Sequence, residues 1–174
     1  MINFEEKINE LLDKTNSENN STALCEFLKS ELPNRFKKQI NYIRLFFEKA
    51  LLLNPDDDDL WKAYLEVIKN QNSNSKLNYS LLQRACKCCY FSVVFWVLLL
   101  REMEKLQLPY EEIQIKTQEA FTSSGDDENF ISEIWKYSLE YMCRNFSKEN
   151  LQNIREMFTS AINDIQSKYI LTIR

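Results

Sequence analysis

Histidine is absent from this 174-residue chain, and glycine occurs once, at Gly125. Without histidine, Ser-His-Asp and Cys-His catalysis and histidine-based metal sites are excluded. A single glycine excludes the glycine-rich loops that hold phosphate groups. It also argues against sheets joined by tight hairpins, because those turns need residues at positive φ. We therefore expect an all-helical protein that is not an enzyme, with no catalytic residues, no cofactor and no metal.

The chain also has no excess of basic residues, because it contains 22 Lys and Arg residues and 26 Asp and Glu residues, for a net charge of −4. Domains that bind nucleic acids are usually basic and carry a stripe of Lys and Arg. The densest basic group here is only Arg35, Lys37 and Lys38. Direct RNA contact is therefore expected to be weak or absent in this segment, and an RNA-binding module is kept as an alternative.

Long apolar runs are lacking as well. The longest uninterrupted run is VVFWVLLL, residues 93–100, whereas a transmembrane helix needs about 20 apolar residues. The N-terminal segment MINFEEKINELLDK is typical of a partly acidic amphipathic helix and not of a signal peptide. An odd count of five cysteines without a secretory signal indicates a reducing compartment. We expect a soluble nuclear or cytosolic protein that does not bind membranes.

The cluster CKCC, residues 86–89, suggests a metal knuckle at first sight. Structural zinc sites need four ligands, typically as two pairs such as C-x₂-C, and three thiolates without a histidine fall short of this. Free cysteine otherwise behaves as a small buried apolar residue. Cys86 and Cys89, which are three residues apart, are therefore predicted to face the core, and Cys88 is predicted to be exposed.

What the chain does contain is an internal repeat. Three tryptophans recur at intervals of 35 and 39 residues: Trp61, Trp96 and Trp135. Four alanines recur in similar contexts at intervals of 35, 35 and 41 residues: Ala50, Ala85, Ala120 and Ala161. The first two tryptophans each follow an alanine by eleven residues. A period of 35–40 residues corresponds to two helices and two turns, and it predicts a helical solenoid.

Apolar spacing predicts helices near residues 2–14, 21–32, 36–53, 58–70, 77–88, 92–107, 109–123, 127–145 and 148–166. Acidic runs before two of them predict helix caps, at Asp57 or Asp58 and at Asp126 or Asp127. A tryptophan on the first helix of each pair is expected to nest against a flat alanine on the second. The predicted repeat core consists of Phe47, Ala50, Trp61, Tyr64, Leu65, Ala85, Trp96, Leu99, Ala120, Trp135, Leu139, Phe158 and Ala161.

The segment LWKAYLEVI after FFEKALLLNPDDDD resembles the half-a-TPR (HAT) repeat of RNA-processing scaffolds. The first repeat matches the family pattern at Phe47, Lys49, Ala50, Trp61, Tyr64 and Glu66. The second repeat departs from it at Leu99, where tyrosine is usual, and the third repeat departs at Ser138. The resemblance covers roughly residues 25–165. It implies a right-handed α-α superhelix, with an N-terminal helix and polar linker in residues 1–20 and about four helical hairpins in residues 21–174.

Within the family, the order of features is similar to the mid-array repeats of U4/U6 snRNP recycling factors. The resemblance implies a nuclear, non-enzymatic scaffold whose partners are proteins of an RNA-processing complex, expected to be snRNP proteins. Apolar faces at the ends of an incomplete array leave homodimerisation open as well. Other HAT scaffolds, of pre-mRNA 3′-end cleavage or of pre-rRNA processing, remain alternatives. No partner-binding residue is predicted.

Overall fold

The computed structural model describes residues 40–71, 75–145 and 151–172, together with the single positions 6, 10, 13 and 27. Within these residues there is no β-strand, which confirms the all-α prediction. The predicted helices near 2–14 and 21–32, the predicted boundary at residue 20 and the basic group at residues 35–38 lie outside the three described ranges. The helices are α1 (Ile40–Leu53), α2 (Asp58–Gln71), α3 (Ser75–Cys88), α4 (Val93–Lys105), α5 (Tyr110–Ser123), α6 (Glu128–Arg144) and α7 (Leu151–Thr172).

The chain divides into two compact units, Met1–Cys89 and Tyr90–Arg174. In the first unit, α1 packs on α2 and α2 packs on α3. In the second unit, α4, α5, α6 and α7 pack in sequential order, and α4 also packs on α6. Contact between α4 and α6, the first helices of successive pairs, is how repeated hairpins stack. The fold is that of a helical repeat array, as the period predicted.

Two helices begin where the acidic runs predicted a cap. The Asp57 carboxylate accepts a hydrogen bond from the backbone N–H of Leu60 at 2.9 Å. The Asp127 carboxylate accepts one from the N–H of Phe130 at 3.1 Å. Each cap satisfies one of the N–H groups that a helix leaves without an internal partner. The structure thus confirms side-chain capping and selects Asp57 and Asp127 from the two predicted pairs.

The buried core includes most of the residues that the repeat predicted. Those buried are Phe47, Ala50, Trp61, Tyr64, Ala85, Trp96, Leu99, Ala120 and Ala161. Leu65, Trp135 and Leu139 are only half-buried. Phe47 stacks on Tyr64 with ring centroids 4.7 Å apart, which joins α1 to α2. The nesting of each indole against a particular alanine stays a prediction.

Phe158 is a correction, because its side chain is 44% exposed. On α7 the buried line runs through Ile154 and Ala161. At 100° of rotation per residue, Phe158 lies about 40° to one side of Ile154. The exposed residues Leu151 and Ile162 lie on that same side. Because α7 packs on α6, only the side of α7 that faces α6 is buried. Helical spacing alone predicts that Phe158 lies near the centre of that buried side.

Trp61 and Trp96 make equivalent hydrogen bonds. Each indole Nε1–H donates to the carbonyl oxygen six positions earlier, that of Pro55 at 2.8 Å and that of Tyr90 at 2.9 Å. Both acceptors lie in the loop, because α2 and α4 begin three residues before the tryptophan. Trp135 differs, since α6 begins seven residues before it and the carbonyl six positions earlier is already helical. Its Nε1–H donates to the Asp164 carboxylate at 3.2 Å.

No helix in the described ranges has the combination of length and apolarity that a membrane-spanning segment requires.

Replacing Trp61 by alanine should destabilise the protein by about 3–5 kcal/mol, because the indole is 1% exposed and its removal leaves a cavity. Urea unfolding followed by circular dichroism measures the change. The matched control is Phe158→Ala, which should change stability by no more than about 0.5 kcal/mol because the ring is exposed. Equal losses for the two variants would contradict the burial pattern described above.

Asp57→Ala should cost about 1 kcal/mol of stability, because the first turn of α2 loses the acceptor for the Leu60 N–H. Asp56→Ala removes the neighbouring carboxylate, which lies one residue earlier and is exposed, and should cost much less. The same urea titration compares the two variants. A larger loss for Asp56→Ala would mean that Asp57 is not the cap of α2.

Candidate functional site

In the first unit, an ion pair joins α1 to α3. The Arg84 guanidinium donates two parallel hydrogen bonds to the Glu48 carboxylate, both at 2.7 Å. The Tyr64 hydroxyl donates to the same carboxylate at 3.2 Å, and the guanidinium carbon lies 5.3 Å from the centre of the Trp61 ring. The network therefore ties the second helices of two successive hairpins to the aromatic residues of the helix between them.

The pKa values of Glu48 and Tyr64 in this network shift in opposite directions. The hydrogen bond from Arg84 lowers the pKa of the Glu48 carboxyl below its usual value, against the effect of burial. Burial raises the pKa of Tyr64 to about 12, and the negative charge of Glu48 adds to the effect. Glu48 is thus ionised and Tyr64 neutral at physiological pH, which suits a structural link more than proton transfer.

The second unit has a similar link, between α4 and α6. Arg144 donates to Glu104 through Nε at 3.0 Å and through a terminal guanidinium nitrogen at 2.7 Å. On the same pair of helices, the buried Tyr137 hydroxyl donates to the carbonyl of Leu100 at 3.0 Å. Burial, followed by the charge of Glu104, raises the pKa values of Tyr137 and Tyr141. These contacts hold the first helices of two hairpins together.

The cysteine cluster behaves largely as predicted. Cys86 and Cys89 are buried, whereas Cys88 is half-buried and not exposed, which corrects the prediction for that residue. Burial raises the pKa of the Cys89 thiol to about 12, so it stays a neutral thiol and is a poor metal ligand or nucleophile at neutral pH. Among the described residues, no three His, Cys, Asp or Glu side chains converge as a metal ion would require.

A cleft of about 440 Å³ opens between α5, α6 and α7 of the second unit. A neighbouring cavity of about 320 Å³ shares Gln118, Phe121 and Trp135 with it, so the two form one continuous groove. We call this groove the aromatic cleft. Its aromatic lining residues are Tyr110, Phe121, Trp135, Tyr137 and Tyr141. A concave, mainly apolar groove with a few polar groups is the usual form of a binding site.

The walls of the aromatic cleft are built from paired rings. Phe121 and Trp135 lie 4.9 Å apart between ring centroids, and Tyr110 and Tyr141 lie parallel at 6.0 Å. The Tyr110 hydroxyl donates to the sulfur of Met142 at 3.5 Å and accepts from the Gln114 amide at 2.6 Å. The rings are therefore held from α5 and α6 together, and the groove has a defined shape.

The Trp135 end of the aromatic cleft carries a negative charge. No Lys or Arg is among its lining residues, and the one carboxylate among them, Asp164, accepts the Trp135 N–H. At the other end, burial raises the pKa of Tyr141, and the nearby charges are mixed, because the Arg144 cation acts against the carboxylates of Glu104 and Glu111. Residues 90–174 carry 13 acidic and 9 basic side chains, so the chain's net charge of −4 resides in this unit. The Asp164 end of the groove would therefore attract cations and repel phosphates.

Sequence reasoning identified Trp135 only as a core residue and proposed no partner-binding residues. A signal for the cleft was present, because Tyr110 and Phe121 lie eleven residues apart, about three helical turns, on one face of α5. The ion pairs had a signal as well. Glu48 and Arg84 are 36 residues apart, one residue more than the interval between the first two tryptophans. Glu104 and Arg144 are 40 residues apart, one residue more than the interval between the second and third tryptophans.

The stacked hairpins define a helical repeat protein, and sequence comparison identifies its relatives. No protein-family model matches the chain. Over 131 residues, 72% of the chain, it is 30% identical to Spliceosome associated factor 3, U4/U6 recycling protein, of Mus musculus. The Homo sapiens protein of that name is 28% identical over 131 residues, and the Danio rerio protein is 24% identical over 136 residues.

The chain is thus homologous to a segment of a HAT-repeat protein, Spliceosome associated factor 3. The alignment covers 14% of the length of each of these relatives. The resemblance to U4/U6 recycling factors that the repeat landmarks indicated is confirmed.

The Glu48–Arg84 pair should stabilise the fold in a pH-dependent way. Because the folded state lowers the pKa of Glu48, the stabilisation is present above the unfolded-state pKa of about 4.3 and is lost as the pH falls through the folded-state pKa. Glu48→Gln should remove up to about 1 kcal/mol at pH 7, a modest amount because the pair is partly exposed.

Urea unfolding at pH 7 and at pH 3 tests this expectation. Wild type should lose more stability between the two pH values than Glu48→Gln, whereas the exposed control Glu112→Gln should follow wild type. An identical pH dependence for wild type and Glu48→Gln would show that the ion pair contributes nothing to folding.

Proposed function

We propose that this chain is a non-enzymatic helical-repeat scaffold that binds proteins of a splicing complex, in the recycling or assembly of U4/U6 snRNPs. The observation that carries the proposal is the 30% identity over 131 residues to a U4/U6 recycling protein. Because the aligned segment is a small part of that relative, the contribution of the chain is proposed to be partner contact within a larger assembly. Such an assembly would place the protein in the nucleus.

The arrangement of the helices supports a scaffold. Stacked hairpins expose extended surfaces to which other macromolecules can bind along several repeats. The networks around Glu48 and Glu104 join neighbouring hairpins and keep such surfaces in a fixed shape. Pre-formed surfaces bind with less loss of conformational entropy than flexible ones do.

The chemistry of the chain also favours partner contact over catalysis. It contains no histidine, and the buried thiol of Cys89 and the buried phenols of Tyr64 and Tyr137 all have raised pKa values. Groups that stay neutral and buried do not serve as bases or nucleophiles at neutral pH. The polar networks are therefore proposed to be structural.

RNA binding by the chain itself is the second candidate, and its motive is the basic group Arg35, Lys37 and Lys38. Three clustered cations would give a salt-dependent contact with phosphates. The net charge of −4 opposes it. Contact with proteins is therefore proposed as the primary function.

Affinity purification of the tagged chain from nuclear extract tests the proposal. We expect U4/U6 snRNP proteins to be enriched over an unrelated tagged helical-repeat protein, and to stay bound after ribonuclease treatment. Enrichment that disappears with ribonuclease would favour the RNA-binding candidate. Recovery of cytosolic proteins alone would remove the splicing assignment.

A further inference from the structure

The aromatic cleft combines apolar walls with a carboxylate at one of its ends. Tyr110 and Tyr141 form one end, and the Glu104 carboxylate near Tyr141 is paired with Arg144. Phe121 and Trp135 form the other end, where the Asp164 carboxylate accepts the indole N–H. Gln118 lines both cavities between these ends. A ligand for this groove therefore needs apolar surface along its length and positive charge towards the Asp164 end.

The dimensions of the cleft suit a peptide. Tyr110 and Phe121 are eleven residues apart on α5, which corresponds to about 16 Å at 1.5 Å per residue. An extended peptide of about five residues covers that distance at about 3.3 Å per residue. The volume of about 440 Å³ is within the range of pockets that hold small ligands or a few side chains.

The charge of the cleft decides which chemical class it fits. A single-stranded nucleic acid could stack bases on aromatic rings, but its phosphates need a positively charged groove. Here no Lys or Arg lines the groove, and the unit around it has more acidic than basic side chains. Arginine and lysine provide both apolar surface and positive charge. Their aliphatic stems cover apolar surface, while their cations reach carboxylates or lie over aromatic faces.

We propose that the aromatic cleft is the docking groove for a basic peptide segment of a partner protein. About five extended residues lie along α5, with Arg or Lys stems on Tyr110, Phe121 and Trp135 and with a cation towards Asp164. The proposal rests on the proposed scaffold function, and it names the contact site and the chemistry of the partner. Complementary charge would also speed the encounter with such a partner.

Fluorescence anisotropy with the purified chain and three labelled probes tests the proposal. The first probe is a nine-residue peptide with alternating Arg and Leu, the second has Glu in place of each Arg, and the third is a 12-nucleotide uridine-rich RNA. We expect the Arg–Leu peptide to bind at least ten times more tightly than the Glu–Leu peptide, and less tightly as salt rises. Preference for the RNA, or no binding of the Arg–Leu peptide, would overturn the proposal.

Two pairs of matched variants locate the site. Gln118→Arg places a bulky cation inside the cleft and should weaken binding of the Arg–Leu peptide at least ten-fold. Gln152→Arg makes the same change at an exposed position on α7 that does not line the cleft, and should alter binding less than two-fold. Equal weakening by both variants would show a general attraction to an acidic protein, and the docking groove would be rejected.

Asp164→Asn keeps an oxygen that can accept the Trp135 N–H and removes the charge, so it should weaken binding about three-fold or more. Asp126→Asn removes a carboxylate from the loop before α6, outside the cleft, and should leave binding unchanged. Circular dichroism checks that all variants are folded. No change in Asp164→Asn would contradict the placement of a cation at that end.

The two proposals fail in different ways. If wild type and Gln118→Arg recover U4/U6 snRNP proteins equally from nuclear extract, the scaffold function stands and the docking groove is wrong. If the Arg–Leu peptide binds the cleft but no snRNP protein is recovered, the groove stands and the splicing assignment is wrong.

Discussion

Trp61 and Trp96 can be buried because each indole N–H finds a carbonyl in the loop that precedes its helix. A buried N–H without a partner would cost about 1–3 kcal/mol, so the bond decides where these large side chains can sit. It also fixes how soon the helix begins before the tryptophan. Loop length, helix start and burial of the aromatic residue are therefore linked in these two hairpins.

Trp135 shows what happens when the link is broken. The segment before it is longer, α6 begins earlier, and the carbonyl six positions before Trp135 is inside the helix. The indole N–H is satisfied by Asp164 of α7 instead, and the ring is half-buried and lines the aromatic cleft. A departure from the repeat thus coincides with a groove that is lined by aromatic rings and by the Asp164 carboxylate.

The ion pairs address a different requirement, which is the alignment of one hairpin on the next. Apolar packing alone tolerates small shifts between stacked helices, whereas a two-pronged bond from an arginine to a carboxylate fixes direction and distance. Arg84 and Arg144 each supply such a bond within one unit. Within each unit, hairpins aligned in this way are well suited to hold partners in a fixed arrangement, which is the role proposed for the chain.

The sequence by itself determined the described helices, the repeat, the position of two helix caps to within one residue and the burial of Trp61, because these depend on short-range periodicity and loop chemistry. Tertiary structure decided the exposure of Phe158, the half-burial of Trp135 and the existence of the aromatic cleft. The physical reason is that these features depend on the angles at which distant helices pack. Helical spacing defines which residues share a face of a helix, but not how much of that face a neighbour covers.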